Sequence, residues 1–209
     1  MRERKEKPIS MMTDVKINAE TCINAEYKIN ANERIDDLCR DNLKLIQNTD
    51  VFCFGMDAVL LSTFAKAGKN DNVLDLGTGN GIIPILMQAK NPGGMYTGLE
   101  IQDISFNLAA RNVRLNNLSD HVNMVQGDIK EASRIFGGAS FNVVTSNPPY
   151  MNENHGIVNP ESAKAIARHE LLCSLEDVVR EASKCLKVKG HMYMVHRPSR
   201  LVDIFTSMK

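Results

Sequence analysis

The first 32 residues and the rest of the chain follow different hydrophobic patterns. From Ile17 to Ala31 the odd positions are isoleucine, alanine, aromatic or β-branched and the even ones are mainly polar, an alternation that fits a strand lying on a surface. It arises from a unit repeated at six-residue intervals, Ile17-Asn18-Ala19-Glu20, Ile23-Asn24-Ala25-Glu26 and Ile29-Asn30-Ala31-Asn32. The stretch is long for one strand, and three units are too few for a solenoid. Residues 1–32 are therefore expected to form a low-complexity arm, flexible or loosely docked, without a part in chemistry.

From Glu33 onward strand-like and helix-like patterns alternate, and residues 33–209 read as one domain. Apolar runs of strand length occupy Asn72 to Leu76, Met95 to Ile101, Val122 to Gln126, Phe141 to Ser146 and His191 to His196. Between Gln102 and Asn117 the residues Ile104, Leu108 and Leu115 keep to one helical face. Ser174 with Asp177 three residues later reads as a capping box, followed by a helical pattern expected to run until Gly190. A last helix is expected from Ser199 to Met208. Strands alternating with helices imply parallel strands joined by right-handed crossovers, hence an α/β fold with a doubly wound sheet. In such a sheet a ligand binds beyond the carboxyl ends of the strands, where the winding reverses.

Candidate chemistry collects at those ends. The strand Asn72 to Leu76 runs into Gly77-Thr78-Gly79-Asn80-Gly81 and then an apolar helix with Pro84 in its first turn. Alternating glycines let the backbone turn tightly and let a ligand approach the main chain at a helix N-terminus. Asp75 stands just before this loop, Glu100 with Ile101 closes the second strand, and Asp128 with Ile129 follows the third. A carboxylate at the position of Glu100 can accept both hydroxyl hydrogens of a ribose, and one at Asp128 can accept from an adenine amino group. Together with the glycine loop these acids describe a site for an adenosine-containing ligand.

The fourth strand ends in Asn147-Pro148-Pro149-Tyr150. The prolines fix the backbone, bias Asn147 towards an extended conformation and leave carbonyl acceptors without amide donors. The Asn147 side-chain oxygen and the Pro148 carbonyl can accept the two hydrogens of an exocyclic amino group while Tyr150 stacks on its ring. Both hydrogens are then held in the ring plane, and the nitrogen lone pair is aimed at an electrophile.

Composition narrows the classes. Twenty-five basic and 25 acidic residues leave no net charge, so a nucleic-acid partner must be met by a local positive patch. Lys164, Arg168, Arg197 and Arg200 are the candidates for one. Five cysteines, widely spaced and without a Cys-x-x-Cys pair, support neither a metal centre nor a disulfide framework and are expected to be buried thiols. No apolar run has the length of a membrane span, and the charged start is not followed by a secretory apolar stretch, so a cytoplasmic location is expected.

Asp75 to Gly81, Glu100, Asp128 and Asn147 to Tyr150 together resemble the class I S-adenosylmethionine-dependent methyltransferases that modify amino groups. Within that class, Glu33 to Leu38, Phe52 to Leu61 and Ala167-Arg168-His169-Glu170 are similar to the bacterial tRNA(1)(Val) adenine-N(6) methyltransferases. The resemblance runs from Glu33 to about Ser207 and implies a Rossmann-like fold, S-adenosylmethionine as cofactor and a tRNA adenosine beside the anticodon as substrate. It further implies that Gly77, Thr78, Gly79, Asn80 and Gly81 surround the methionine part of the cofactor with support from Asp75. Glu100 and Ile101 would bind the ribose side and Asp128 and Ile129 the adenine. Phe54, Gly55 and Asp57 would open a helix closing the pocket, and Asn147, Pro148, Pro149 and Tyr150 would be catalytic, with Asn147 also meeting the cofactor.

The polar stretch Met151 to Ala165 is expected to form a substrate lid. The family's sheet ends with an antiparallel strand pair, which this chain, stopping at Lys209, is expected to lack. The edge at His191 to His196 would then be bare unless another subunit of a homo-oligomer covers it. Three other readings compete: a glutamine methyltransferase acting on release factors, an inactive module that keeps the cofactor pocket, and a nicotinamide-dependent oxidoreductase. The last is disfavoured by the glycine spacing.

Overall fold

A computed structural model describes residues 29–51, 53–148 and 173–209. Two antiparallel strands, β1 (Glu33–Asp37) and β2 (Lys44–Asn48), open this part as a hairpin. The connecting turn places Cys39, Asp41 and Asn42 at φ 50°, 50° and 58°, the left-handed region that Asp and Asn tolerate better than most side chains. Next come α1 (Met56–Phe64), β3 (Asn72–Leu76), α2 (Ile82–Lys90), β4 (Met95–Glu100), α3 (Asp103–Leu115) and β5 (Val122–Gln126). A 3-10 turn (Ile129–Glu131) leads into the short α4 (Ala132–Phe136), then β6 (Phe141–Ser146). Beyond residue 172 lie α5 (Leu175–Cys185), β7 (Leu186–Met194), a second 3-10 turn (Pro198–Arg200) and α6 (Leu201–Ser207).

Strands β3 to β7 form one parallel sheet in the order β5-β4-β3-β6-β7. The winding reverses at β3, which pairs with β4 on one side and β6 on the other. Neighbouring residues of each strand serve opposite faces. Val73, Tyr96, Val122 and Val143 pack with Ala58 and Leu61 of α1, Ile83 and Met87 of α2 and Val113 of α3. Leu74, Leu76, Leu99 and Val144 pack with Ala132 of α4 and Val178, Ala182 and Cys185 of α5. A sheet buried on both faces explains why its strands read as continuous apolar runs. Each fully buried leucine or valine there contributes about 1.5–3 kcal/mol relative to exposure.

The α/β sheet and four of its five strands lie where the periodicity puts them, β4 ending one residue early at Glu100. Three expectations need correction. The helix from Leu175 stops at Cys185, and the chain passes directly into β7, because Lys187-Val188-Lys189 offers no apolar helical face and Lys189 adopts φ 66°. Partners Phe141↔Leu186 and Val143↔His191 show that β7 bulges there, with Val188 91% exposed. Ile104 is 57% exposed rather than sheet-covering, since α3 turns Leu108, Asn112 and Leu115 inward. Of the cysteines, Cys185 is buried, Cys39 is exposed and Cys53 and Cys173 are half-buried; Cys22 lies outside the described residues, as do residues 1–28 of the arm.

Among the described residues no helix is long and apolar enough to cross a membrane, and no group of three His, Cys, Asp or Glu could hold a metal ion.

Candidate active site

Strand register alone brings the sequence candidates to one edge. Leu76 pairs with Leu99 on one side and Ser146 on the other, so Gly77, Glu100 and Asn147 each stand one step beyond the same row. Glu100 pairs in turn with Gln126, which sets Asp128 two residues past the next strand end. Four carboxyl ends and the start of α2 thus share the edge where the winding reverses.

The glycine loop hangs from β4. The amides of Gly77 and Thr78 both donate to the Leu99 carbonyl, each at 3.0 Å, and the Gly79 amide donates to Glu100 Oε2 at 2.9 Å. Glu100 Oε1 accepts from the Gln102 amide at 2.9 Å, so this buried carboxylate is oriented by two main-chain donors and keeps lone pairs for a ligand. Gly77, Gly79 and Gly81 all have positive φ, 74°, 59° and 83°. A side chain at Gly79 would meet nothing within 4 Å among the described residues, which makes its surface an open shelf that backbone strain, rather than space, reserves for glycine. Gly98, opposite Asp75 on β4, works by space: a Cβ there would lie 2.7 Å from the Thr78 side chain. The sequence reading did not single out Gly98; an isolated glycine inside a strand was the available signal.

Asp75, 1% exposed, points towards the same loop. The Thr145 hydroxyl donates to its Oδ1 at 2.7 Å. Burial pushes its carboxyl up to about 6, and nearby Glu100 adds to that, against the opposing effect of the Thr145 and Thr78 hydroxyls. Among the described residues, Asp75 Oδ2, Thr78 Oγ1 and Asn80 Nδ2 are buried with no hydrogen-bond partner. Three such atoms around one glycine loop fit a polar ligand that completes them, as the methionine end of S-adenosylmethionine would.

Asp128 caps the 3-10 turn by accepting from the Lys130 amide at 2.9 Å. Ile129 overhangs the loop, its Cδ1 3.5 Å from where a Gly77 Cβ would be. Phe54 packs against the main core, Gly55 is the N-cap of α1, Asp57 lies half-buried in its first turn, and Ile101 is exposed just past Glu100. Asn147 and Pro148 are half-buried at the end of β6, where Ser146 Oγ donates to the Leu76 carbonyl at 2.9 Å and holds the two strands together up to the site.

The Val195 amide donates to the Ser146 carbonyl at 3.3 Å, which brings the chain leading to Arg197 onto the same edge. Arg197 is exposed; Arg200 is half-buried and pairs with Asp203 at 2.8 Å. Pro149, Tyr150, the Met151 to Ala165 stretch, Lys164, Arg168, His169 and Glu170 lie outside the described residues. An open hollow of about 520 Å³ lined by Lys66, Asp71, Asn142, Lys187 and His191 lies at the amino ends of the strands, away from the described candidates above.

The model of the methyltransferase small domain family matches residues 42–203. A Porphyromonas gingivalis protein named tRNA1(Val) (adenine(37)-N6)-methyltransferase is 30% identical over 156 residues, covering 72% of this chain and 60% of its own. A Flavobacteriaceae bacterium protein of the same name is 27% identical over 150 residues, covering 71% of this chain and 61% of its own. The chain thus spans about three fifths of the length of these curated relatives. Among solved structures, P. horikoshii TYW2 in complex with MeSAdo superposes with a TM-score of 0.58 at 14% identity, over 86% of this chain and 59% of that one. The geranyl diphosphate C-methyltransferase of Streptomyces coelicolor superposes at 0.51 with 19% identity, over 66% of this chain and 44% of that one. At those identities the likeness concerns the fold.

Proposed function

This chain belongs to the methyltransferase small domain family, and from that premise we propose that it transfers a methyl group from S-adenosylmethionine to the exocyclic amino group of a tRNA adenosine, next to the anticodon of valine tRNA. The observation that carries the reading is the meeting of the glycine loop, Glu100 and Asn147 one step past a single row of the sheet. The names of the curated relatives support the choice of adenine.

When bound, the cofactor supplies a methyl group already activated on a sulfonium, so the protein's task is positioning and electrostatic fit. The loop from Gly77 to Gly81 holds the methionine end, with Asp75, Thr78 and Asn80 offering their unpartnered atoms. Glu100 accepts from the ribose hydroxyls while its own orientation is kept by the Gly79 and Gln102 amides. Asp128 accepts from the adenine amino group, Ile101 and Ile129 flank the nucleoside, and Phe54, Gly55 and Asp57 close the N-terminal side. A target base inside stacked RNA is out of reach, so it turns out of its loop and lies against Tyr150. Asn147 and the Pro148 carbonyl accept the two amino hydrogens, which orients the nitrogen lone pair. The ring of Pro149 would restrict the backbone there, and the proton released as the carbon–nitrogen bond forms leaves to the neighbourhood of Asn147 or to water. Lys164, Arg168, Arg197 and Arg200 supply the local charge that meets RNA phosphates, and a tRNA substrate sets the working location in the cytoplasm.

Incubation with labelled S-adenosylmethionine and unmodified tRNA, release-factor protein or neither tests the proposal. Label is expected in valine tRNA alone, as N6-methyladenosine on nucleoside digestion. Label in release factor would assign the glutamine reaction instead, and cofactor binding without transfer to either would leave a binding module.

A further inference from the structure

Asn112 on the inward face of helix α3 and Asn116, the residue that caps its carboxyl end, both hydrogen-bond to the main chain of β2. The Lys44 amide donates to Asn116 Oδ1 at 2.9 Å, and Asn116 Nδ2 returns a bond to the Lys44 carbonyl at 2.7 Å. The Ile46 amide donates to Asn112 Oδ1 at 2.6 Å, and Asn112 Nδ2 returns a bond to the Ile46 carbonyl at 3.1 Å. Four residues along a helix advance roughly 6 Å, and two along a strand about 6.6 Å, so the spacing of the pair matches alternate residues of a strand edge. The two carboxamides do what a neighbouring strand would do, and cap an edge that β1 leaves open on its other side.

The two asparagines differ in one respect. Asn112, 0% exposed, spends its second N–H on the Asn80 carbonyl at 2.9 Å, inside the glycine loop. Asn116 gives its other bond to the Asn112 carbonyl of its own helix at 2.8 Å. The hairpin is held on the far side too, by Arg111, whose guanidinium makes a two-pronged pair with Glu33 at 2.7 and 2.8 Å. Asn80 sits between Gly79, with its open shelf, and Gly81, the N-cap of α2.

We propose that Asn112 is a positioning residue for the cofactor: its carboxamide fastens the Asn80 carbonyl to β2, so the β1–β2 hairpin and the glycine loop move as one body. The inference rests on reading that loop as the S-adenosylmethionine cradle. Asn112→Asp keeps the acceptor for Ile46 and turns the donor towards Asn80 into an oxygen; Asn116→Asp makes the same change where only β2 and the helix are touched.

The test is the affinity for S-adenosylmethionine by calorimetry, at a temperature where all three proteins are folded. The expected result is an affinity roughly tenfold weaker in Asn112→Asp and within about twofold of wild type in Asn116→Asp, whatever both do to the melting temperature. Equal losses in the two variants, or no loss in Asn112→Asp, would overturn the proposal. Hydrogen exchange of the wild-type protein provides a second measurement that needs no variant. Cofactor is expected to slow exchange of the Ile46 amide by roughly tenfold while that of Lys44 changes little. Cofactor-independent exchange at Ile46 would overturn the proposal. Wild-type protein that binds no S-adenosylmethionine would overturn the reading of the loop, and the proposal with it.

Discussion

Asp75 shows how burial and chemistry collide at one residue. Its carboxyl, pushed up to about 6 by burial, is costly to ionise in the folded protein, whereas in the unfolded chain it titrates near 3.8. The folded form therefore binds the proton more tightly, and the stability linked to this group is full below about pH 4 and is lost as pH rises through about 6. Asp75→Asn keeps an acceptor for Thr145 and removes the charge. It is expected to be more stable than wild type at pH 7.5 by on the order of 3 kcal/mol in urea unfolding, with the gap closing below about pH 4. Parallel pH profiles would show that Asp75 is ionised without cost. Asn147 belongs instead to the proposed reaction. Asn147→Ala is expected to abolish transfer while binding of S-adenosylmethionine survives, read by activity and calorimetry on one preparation; equal loss of both would make Asn147 a structural residue.

At the level of elements, two helices are fastened by one buried acid. Burial raises the Glu181 carboxyl, but bonds from Lys184 Nζ and the Ser133 amide outweigh it and bring it down to about 2. Glu181 thereby ties α5 to the start of α4 and to the turn that carries Ile129. The depressed value means that the stabilisation is present above about pH 4.5 and lost as pH falls towards 2. Glu181→Gln is expected to lower stability at pH 7 by about 3 kcal/mol in thermal or urea unfolding, the gap narrowing as pH drops through that window. Elements announced by local chemistry were legible beforehand. The Ser174–Asp177 capping box forms as its spacing says, with Asp177 N donating to Ser174 Oγ at 3.1 Å and Ser174 N to Asp177 Oδ2 at 3.0 Å. The β1–β2 hairpin was not legible, although Asp41-Asn42 was a turn signal, because its strands are half polar and need Asn112 and Asn116 of a helix far along the chain to complete them. Strand β7 was misread at its start because a bulge breaks its periodicity.

Across the whole molecule, zero net charge means that the proposed RNA binding would depend on where the cations lie. The hydrogen bond of Val195 to Ser146 brings the chain leading to Arg197 to the candidate edge, a placement that no count of charges contains. Charge-neutralising Arg197→Gln and Arg200→Gln, alone and with Lys164→Gln and Arg168→Gln, are expected to weaken tRNA binding. For every phosphate that a variant no longer neutralises, the slope of log affinity against log salt becomes shallower by about 0.7–0.9. An unchanged slope in filter binding between about 50 and 200 mM salt would remove these residues from the interface.

By itself the sequence determined the α/β order, four strand positions, the glycine loop and the acids at strand ends, because backbone propensity and hydrophobic period act over a few neighbouring residues. Only the tertiary structure decided that Leu76 aligns with Leu99 and Ser146, that Gly98 must be bare for Thr78, and that Asn112 serves β2 and the loop together. Those facts depend on register and on packing between segments distant in the chain, where close fit and the need to satisfy buried polar groups choose among arrangements that local sequence leaves equal.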